Sequence, residues 1–348
     1  KPMTKLRRAT LLLVAGLFAA TPLRAAEPEL NVYSARHYQT DQRFYDDFTE
    51  QTGIKVNLLE GADSALMERL ASEGANSPAD VLVLVDAARL WKAEEAGLFQ
   101  PVESDVLSER IPEHLRSTDE GEGSKWFGVS RRARIIVYNP DKVDGDKVRT
   151  YADLADPALK GMVCTRTGTH PYMLSLIGAM VEHMGAEKAE AWAAGVVANF
   201  ARTPRGGDTD QIKATATGEC GVALANSYYL ARLMRSSNEV DREIAAKVEA
   251  VWPDQEGNGT HMNITGIGVL KHAPHPEAAV RFIEYLTSDK AQRLLAAGNN
   301  EWPAVESVKI DNPALEALGD FKPDPLPIGR IGEAQLEAAK IVDRVGWR

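Results

Sequence analysis

The first third of the chain alternates between strand-like and helix-like patterns of apolar residues. Residues 30–33 alternate as a strand does, and Thr40 and Asp41 then offer an N-cap for an amphipathic helix that ends at Gly53. The same pattern predicts strands over residues 54–59 and 80–85 and helices over residues 64–72 and 87–96. The continuous apolar run in the second of these strands is typical of a strand buried on both faces of a parallel sheet. This order predicts an α/β fold with parallel strands.

The alternation continues to the C-terminus without an internal repeat or a low-complexity linker. It predicts strands over residues 134–138, 162–165, 221–225 and 265–270, and helices over residues 171–183, 228–235, 276–297 and 333–345. A chain of 348 residues is long enough for two domains. Two lobes joined by more than one crossover fit this uninterrupted pattern better than two domains in a row.

The N-terminal residues have the pattern of a secretory signal. Lys5, Arg7 and Arg8 precede an apolar run over residues 11–20, and small residues follow, which predicts cleavage after Ala25. Ten apolar residues are about half of the length that a membrane-spanning helix needs. The sequence therefore predicts a signal peptide over residues 1–25, no membrane span after its removal, and export to the periplasm by either the Sec or the twin-arginine route.

The charge and the cysteines of the exported part narrow the classes of function. Without residues 1–25 the chain keeps 35 basic and 50 acidic residues, a net charge of −15, which argues against nucleic acid or anionic lipid as a partner. In an exported protein, Cys164 and Cys220 are candidates for a disulfide, which would close a loop of roughly 57 residues and contribute about 4 kcal/mol. Two buried free thiols are the alternative.

The sequence contains none of the common catalytic or nucleotide-binding motifs. There is no GxSxG, HExxH, GxxxxGK[ST] or GxGxxG pattern, and two isolated cysteines without CxxC exclude a zinc finger. An enzyme would need a nucleophile and a base in the cleft, and the cysteines would serve only if reduced. The pattern favours a binding protein.

Tyrosines follow three of the predicted strands, each at the start of a helix. His37 and Tyr38 follow the first strand, Tyr172 opens the helix at residue 171, and Tyr228 and Tyr229 open another. In open α/β sheets, ligands bind beyond the carboxyl ends of strands, beside helix N-termini. The positive field at these termini favours a phenolate over a phenol. Five further tyrosines fall within predicted strands or helices and are assigned to the core: Tyr33, Tyr45, Tyr138, Tyr151 and Tyr285.

Several phenols in one place suit a hard trivalent cation. A phenol ionises near pH 10, so at neutral pH only a strong Lewis acid displaces its proton. Ferric iron does so, three or four phenolates would roughly neutralise it, and an imidazole can fill a further position. A sugar site usually adds tryptophans and carboxylates. Taken singly, each tyrosine is more often a half-buried packing residue, so the hypothesis rests on the set.

Long segments around these residues resemble one family. The chain is similar to the periplasmic ferric-iron-binding proteins of ABC importers, the FbpA family, and most of all to its FutA/IdiA-like branch. The resemblance covers essentially the whole exported chain, and it is carried by residues 32–38, 73–81, 126–134, 205–211 and 226–229.

This resemblance implies a two-lobed, type II (Venus-flytrap) binding fold with ferric iron in the cleft between the lobes. The implied first lobe comprises residues 26–133 and 259–348, the second comprises residues 134–258, and crossover strands near residues 134–138 and 251–268 form the hinge. The protein would be a monomer that delivers iron to an ABC permease and its ATPase. A small organic anion or a polyamine in the same cleft is the alternative ligand.

The resemblance also assigns roles to individual residues. The implied phenolate ligands are Tyr38, Tyr172, Tyr228 and Tyr229, with His37 as a fifth ligand. Some relatives bind a synergistic anion such as carbonate beside the metal. The residues expected to hold such an anion, or to compensate the phenolates, are Arg36, Arg132 and Arg134.

Overall fold

The computed structural model describes residues 28–118 and 120–348, so the predicted signal peptide lies outside the described residues. The described chain is an α/β structure, as predicted. Its strands are β1 (Glu29–Ser34), β2 (Lys55–Glu60), β3 (Val81–Val85), β4 (Phe127–Tyr138), β5 (Val163–Cys164), β6 (Val222–Asn226), β7 (Glu249–Val251), β8 (Met262–Val269) and β9 (Trp302–Pro303).

The helices agree with the predicted ones to within a few residues at most ends. They are α1 (Gln42–Thr52), α2 (Asp63–Glu73), α3 (Ala87–Glu95), α4 (Asp105–Arg110), α5 (Pro171–Met184), α6 (Ala186–Ala198), α7 (Asp208–Thr217), α8 (Ser227–Met234), α9 (Glu239–Ala246), α10 (Pro276–Leu286), α11 (Asp289–Asn299), α12 (Pro313–Ala317), α13 (Ile328–Glu333) and α14 (Gln335–Val345). The pattern analysis missed several of them, among them α6 and α7.

Two local predictions are wrong. The single helix predicted over residues 276–297 is broken between α10 and α11, where the Ser288 hydroxyl accepts from the Ala291 amide and starts a new helix. Asp41 does not cap α1 with its side chain, because its carboxylate is held by the Arg36 guanidinium. In both places a polar side chain has a partner that apolar periodicity cannot reveal.

The sheet is mixed rather than parallel. Its strands are ordered β2-β1-β3-β8-β4-β6-β5, with β7 and β9 also paired to β4. The pairs of β1 with β2 and β3 and of β5 with β6 are parallel, whereas β4 and β8 run antiparallel to their neighbours. The prediction of parallel strands fails there because these two strands carry the chain between the two halves of the molecule.

One strand belongs to both halves of the sheet. Residues Phe127–Ala133 of β4 pair with β8, and residues Arg134–Tyr138 pair with β6 and β7. The chain returns from β7 to β8 through residues 252–261. A continuous strand that changes its partners midway gives two lobes a shared axis.

The hydrophobic cores lie on either side of this change of partner. One half is packed around β1, β3 and β8, and includes Leu82, Leu84 and Ile264. The other half buries Leu176 and Trp192. Helix α14 packs on α5 and α6 in this second core, although the predicted division assigned residues 259–348 to the first lobe.

Cys164 and Cys220 form a disulfide, which confirms the predicted pairing over the alternative of free thiols. Cys164 lies on β5, and Cys220 lies two residues before β6, the parallel neighbour of β5. The bond therefore ties together two strands whose chain connection is long. Both residues are 1% exposed.

Replacing both cysteines by alanine is expected to lower the free energy of unfolding by about 4 kcal/mol, because the unfolded chain regains the entropy of a loop of roughly 57 residues. Urea unfolding measures this. Reduced wild-type protein is the control, since it loses the bond but keeps both sulfur atoms. An unchanged midpoint in both samples would contradict the prediction.

Candidate metal centre

The structure places four tyrosines at strand-to-helix junctions. Tyr38 lies four residues after β1, Tyr172 is the second residue of α5, and Tyr228 and Tyr229 lie in the first turn of α8, directly after β6. These junctions belong to both halves of the sheet. Three of the tyrosines therefore lie in the first turn of a helix, and Tyr38 lies in the segment that joins β1 to α1.

The phenol groups converge on one place. The hydroxyl oxygens of Tyr172 and Tyr228 are 3.1 Å apart, and the ring centroids of Tyr228 and Tyr229 are 4.3 Å apart. The guanidinium of Arg232 lies 5.9 Å from the ring centre of Tyr38, 5.7 Å from that of Tyr228 and 5.3 Å from that of Tyr229. One cation thus contacts rings from both halves of the sheet. Together with the contact between Tyr172 and Tyr228, it brings all four tyrosines into one cluster.

Burial keeps three of these phenols protonated, those of Tyr38, Tyr172 and Tyr228. It raises the pKa of the Tyr228 phenol well above its usual value, and the neighbouring Tyr172 and Tyr229 act in the same direction. It also raises the pKa of Tyr172, although Arg132 opposes this change. The pKa of Tyr38 is raised by burial, with Glu301 adding to the shift. The field that sequence analysis expected to favour phenolates is outweighed, so these protons leave only when a cation replaces them.

His37 lies beside one of the converging phenols, that of Tyr38. Its imidazole is exposed, its Nδ1 is 3.4 Å from the carbonyl oxygen of Ala35, and its ring stacks on Tyr38 with centroids 5.4 Å apart. The ring lines a surface cavity of about 430 Å³ whose described walls all come from the first half of the sheet. His37 is therefore a neighbour of the Tyr38 ring, and its imidazole is exposed to solvent.

Two of the three predicted arginines already have carboxylate partners. Arg36 binds Asp41 through Nε at 2.7 Å and Nη2 at 2.9 Å, and its Nη1 is 3.1 Å from Glu301. Arg134 donates to Asp208 at 2.6 Å. All of these side chains are buried. Their charges are balanced by these carboxylates, although the Nε atom of Arg134 has no hydrogen-bond partner among the described residues.

Arg132 is different. It is 1% exposed, yet its Nε, Nη1 and Nη2 atoms have no hydrogen-bond partner in the structure, and its nearest carboxylate is Glu301 at 3.9 Å. Its guanidinium lies 5.4 Å from the ring centre of Tyr172. Buried polar groups are almost always satisfied. Arg132 is therefore the arginine whose surroundings fit an additional anion.

Sequence analysis missed four charged residues of the site. Arg166 lies over Tyr172, with its guanidinium carbon 5.1 Å from the ring centre, and Arg232 lies among the other rings. Asp208 pairs with Arg134, and Glu301 lies between Arg36 and Arg132. Arg166 follows β5, so the rule that found the tyrosines applies to it as well. No local signal marks the two acids, which reach the site by tertiary packing.

The donors are those of an oxygen-ligand site. Within residues 28–118 and 120–348, no group of three or more histidine, cysteine, aspartate or glutamate side chains is arranged to hold a metal ion. Phenol oxygens are thus the candidate ligands, and such hard donors fit a hard trivalent cation.

Residues 28–118 and 120–348 also include no helix that is long and apolar enough to cross a membrane.

Residues 43–323 match the family of bacterial extracellular solute-binding proteins. The chain belongs to this family. Its members are the solute-binding components of ABC importers and act outside the cytoplasmic membrane.

Individual relatives of this solute-binding protein cover nearly its whole length. Iron uptake protein A1 of Synechocystis is 48% identical over 322 residues, which are 92% of this chain and 88% of that protein. A Trichodesmium FutA (IdiA) structure with iron and citrate is 50% identical, with a TM-score of 0.88, and the match covers 92% of this chain and 100% of that one. A ferric-binding protein of Campylobacter jejuni is 40% identical, with a TM-score of 0.85 over the same shares. These matches confirm the two-lobed fold and the FutA/IdiA-like branch.

Proposed function

We propose that this protein captures ferric iron in the cleft between its lobes and delivers it to the permease of an ABC importer. The observation that carries the proposal is the convergence of four phenols from both halves of the sheet. Tyr38, Tyr172, Tyr228 and Tyr229 are the proposed ligands, with His37 as a candidate fifth ligand that must turn inward to reach the metal. The names of the relatives, which include iron uptake and ferric-binding proteins, support this ligand.

A ferric titration of the metal-free protein tests the proposal. A visible tyrosinate-to-iron charge-transfer band should grow and saturate at one iron per chain. If folded protein shows no such band, the phenolate site is wrong and a small organic anion becomes the better ligand. The polyamine alternative is disfavoured, because the guanidinium groups of Arg132 and Arg232, which donate no hydrogen bond to a carboxylate of the described residues, lie over the tyrosine rings and would repel a polyamine.

We propose that Arg132 holds a synergistic anion such as carbonate beside the metal. Its guanidinium is buried and has no hydrogen-bond partner within residues 28–118 and 120–348, with Glu301 3.9 Å away, whereas the other two predicted arginines donate hydrogen bonds to Asp41 and Asp208. Iron affinity in the wild type should then depend on bicarbonate. Arg132→Gln should lower iron affinity about 10- to 100-fold, as the loss of a supporting contact does at other metal sites, and should remove the bicarbonate dependence.

Arg131→Gln is the matched control for Arg132→Gln. Arg131 is the adjacent residue of β4, and its guanidinium donates to the carbonyl oxygen of Pro303 instead. Competition titrations with and without bicarbonate measure both variants. Equal dependence on bicarbonate in the wild type and in Arg132→Gln would rule out Arg132 as the anion's holder.

The remaining assignments follow from the same proposal. We place the lobe boundaries at residues 26–133 plus 259–348 and 134–258, with α14 added to the second core. The change of partners along β4 between Ala133 and Arg134 supports the first boundary.

The protein acts as a monomer, it binds and delivers iron rather than catalysing a reaction, and its permease works with an ATPase subunit. Export to the periplasm follows cleavage near Ala25.

Iron binding should favour the closed arrangement of the lobes, because ligands come from both sides of the cleft. Several hydrogen bonds already join the two sides of the cleft. The Ser175 hydroxyl donates to Asp86 at 2.6 Å, and Arg232 donates to Asn299 at 2.8 Å. The strand shared by the lobes and residues 252–261 are the proposed hinge.

A further inference from the structure

A large basic cavity lies beside the proposed iron site. It has a volume of about 980 Å³ and is lined by α1 and α11 on one side and by α7 and α8 on the other. Tyr229 contributes to its wall, so the cavity opens next to a proposed ligand. We call it the basic mouth, after the six cationic side chains that line it: Arg43, Lys213, Arg232, Arg235, Lys290 and Arg293.

Most of this positive charge is not neutralised within the described part of the chain. Arg43 and Lys213 are exposed and have no carboxylate within 4 Å among residues 28–118 and 120–348. Arg232 and Arg235 donate to the amide oxygens of Asn299 and Asn300, at 2.8 and 2.7 Å. Amide oxygens carry no formal charge, so within the described residues none of these four cations forms an ion pair with an acid.

The other two cations are paired with carboxylates, and the single acid among the described residues of the wall offsets only one of the four remaining positive charges. Lys290 is paired with Asp47, and Arg293 lies 3.7 Å from Asp289 in an exposed pair. Asp241, the acidic residue of the wall, accepts a hydrogen bond from Ser236. The concentration of positive charge contrasts with a net charge of −10 for the whole chain. A concave cationic surface on an acidic protein attracts anions to that one place.

The chemistry of ferric iron suggests which anion this is. In neutral water the free aqua ion hydrolyses and precipitates, so dissolved ferric iron is carried by chelators rich in negative oxygen donors. A cavity of this size also suits a small organic molecule. We propose that the basic mouth binds the polycarboxylate chelator that brings ferric iron to the cleft. This inference rests on the proposed function.

Transfer of the metal is then an exchange of oxygen ligands. Bonds from iron to chelator carboxylates break as bonds from iron to tyrosine phenolates form, and the metal stays ferric throughout. Each phenol proton passes to a released carboxylate or to water. The cations of the mouth hold the chelator near Tyr229 while this exchange takes place, and they raise the rate at which an anionic complex enters.

The test compares iron capture from two donors of different charge. Ferric citrate is anionic, whereas ferric tris(acetohydroxamate) is uncharged. In stopped-flow measurements of the tyrosinate band, the double variant Arg43→Glu/Lys213→Glu should slow capture from ferric citrate about 10-fold or more at low salt. Capture from the uncharged complex should be unchanged, and added salt should reduce the difference.

Lys55→Glu/Lys188→Glu is the matched control. Both lysines are exposed and do not line the mouth, and the variant changes the net charge by the same amount. If the control slows ferric citrate capture equally, or if the mouth variant leaves it unchanged, the proposal is wrong. If inorganic phosphate inhibits capture as strongly as iron-free citrate at equal charge, the mouth is a general anion site and the assignment to a polycarboxylate is wrong.

The failure of this inference is distinct from failure of the proposed function. A wild-type protein that takes up iron from neither donor contradicts the iron site itself. A protein that takes up iron from both at rates independent of the mouth charges keeps its iron site and loses only the chelator assignment. Arg43 and Lys213 are not among the proposed ligands, so the final intensity of the band should be the same in the variant.

Discussion

Tyr228→Phe is expected to weaken ferric binding by several hundredfold and to reduce the visible charge-transfer band. Tyr228 is 1% exposed, and its hydroxyl lies 3.1 Å from that of Tyr172, at the centre of the proposed site. Binding free energies of about 10–16 kcal/mol for metals held by four protein ligands correspond to about 3–4 kcal/mol for each ligand. That is a factor of a few hundred in affinity. Competition against a chelator of known ferric affinity measures it.

Tyr33→Phe is the control for the removal of a phenol oxygen. The Tyr33 hydroxyl is 3.0 Å from the Glu73 carboxylate, outside the cleft, so its loss should cost about 1 kcal/mol of stability and leave iron binding unchanged. Tyr228→Phe removes a hydroxyl without changing the ring that fills the core. A folded Tyr228→Phe protein with the wild-type ferric affinity would show that this phenol is not a ligand.

Iron binding is expected to weaken by about a thousandfold for each unit by which pH falls near neutrality. Burial raises the pKa of Tyr38, Tyr172 and Tyr228 above the ordinary phenol value, so all three are protonated in the metal-free protein at pH 7. Each must lose a proton to bind as phenolate. Protons therefore compete with iron, and affinity is lost as pH falls rather than as it rises. At least three protons should be released per ferric ion.

Proton release can be measured directly. A ferric chelate of known proton stoichiometry is added to weakly buffered metal-free protein, and a pH-stat records the base needed to hold pH 7. Tyr38→Phe should release one proton fewer for every iron that binds. If the release is below two protons per iron in the wild type, the phenolate set is wrong even if iron binds.

Much of this site can be predicted from the sequence alone, because its tyrosines lie at strand-to-helix junctions, where α/β proteins bind ligands. Tyr172 and Tyr228 each follow a buried strand at the start of a helix, and such junctions meet at one edge of an α/β sheet. The sequence also predicts the disulfide, since an exported chain with two cysteines is expected to pair them. Long motifs shared with a known family supplied the identity of the metal.

The arginines show where prediction from sequence stops. Arg36 follows β1, Arg132 and Arg134 lie on β4, and the sequence alone does not distinguish among the three as anion holders. The fold distinguishes them, because Asp41 binds the first and the distant Asp208 binds the third, while the second has no hydrogen-bond partner in the described part of the chain. A partner that comes from a distant segment leaves no local trace. Only the packed structure shows which charge remains available.

By itself the sequence determined the class of fold, the placement of the tyrosines and the family, because each depends on local periodicity or on a contiguous motif. Tertiary structure decided the rest. The antiparallel course of β4 and β8, the packing of α14 in the second core and the meeting of Glu301 with Arg36 all join segments that are far apart in the chain. The basic mouth has the same origin, since its cations come from both sides of the cleft. The burial of a side chain and the pairing of its charge depend on neighbours from distant segments, so both are decided only when the chain has folded.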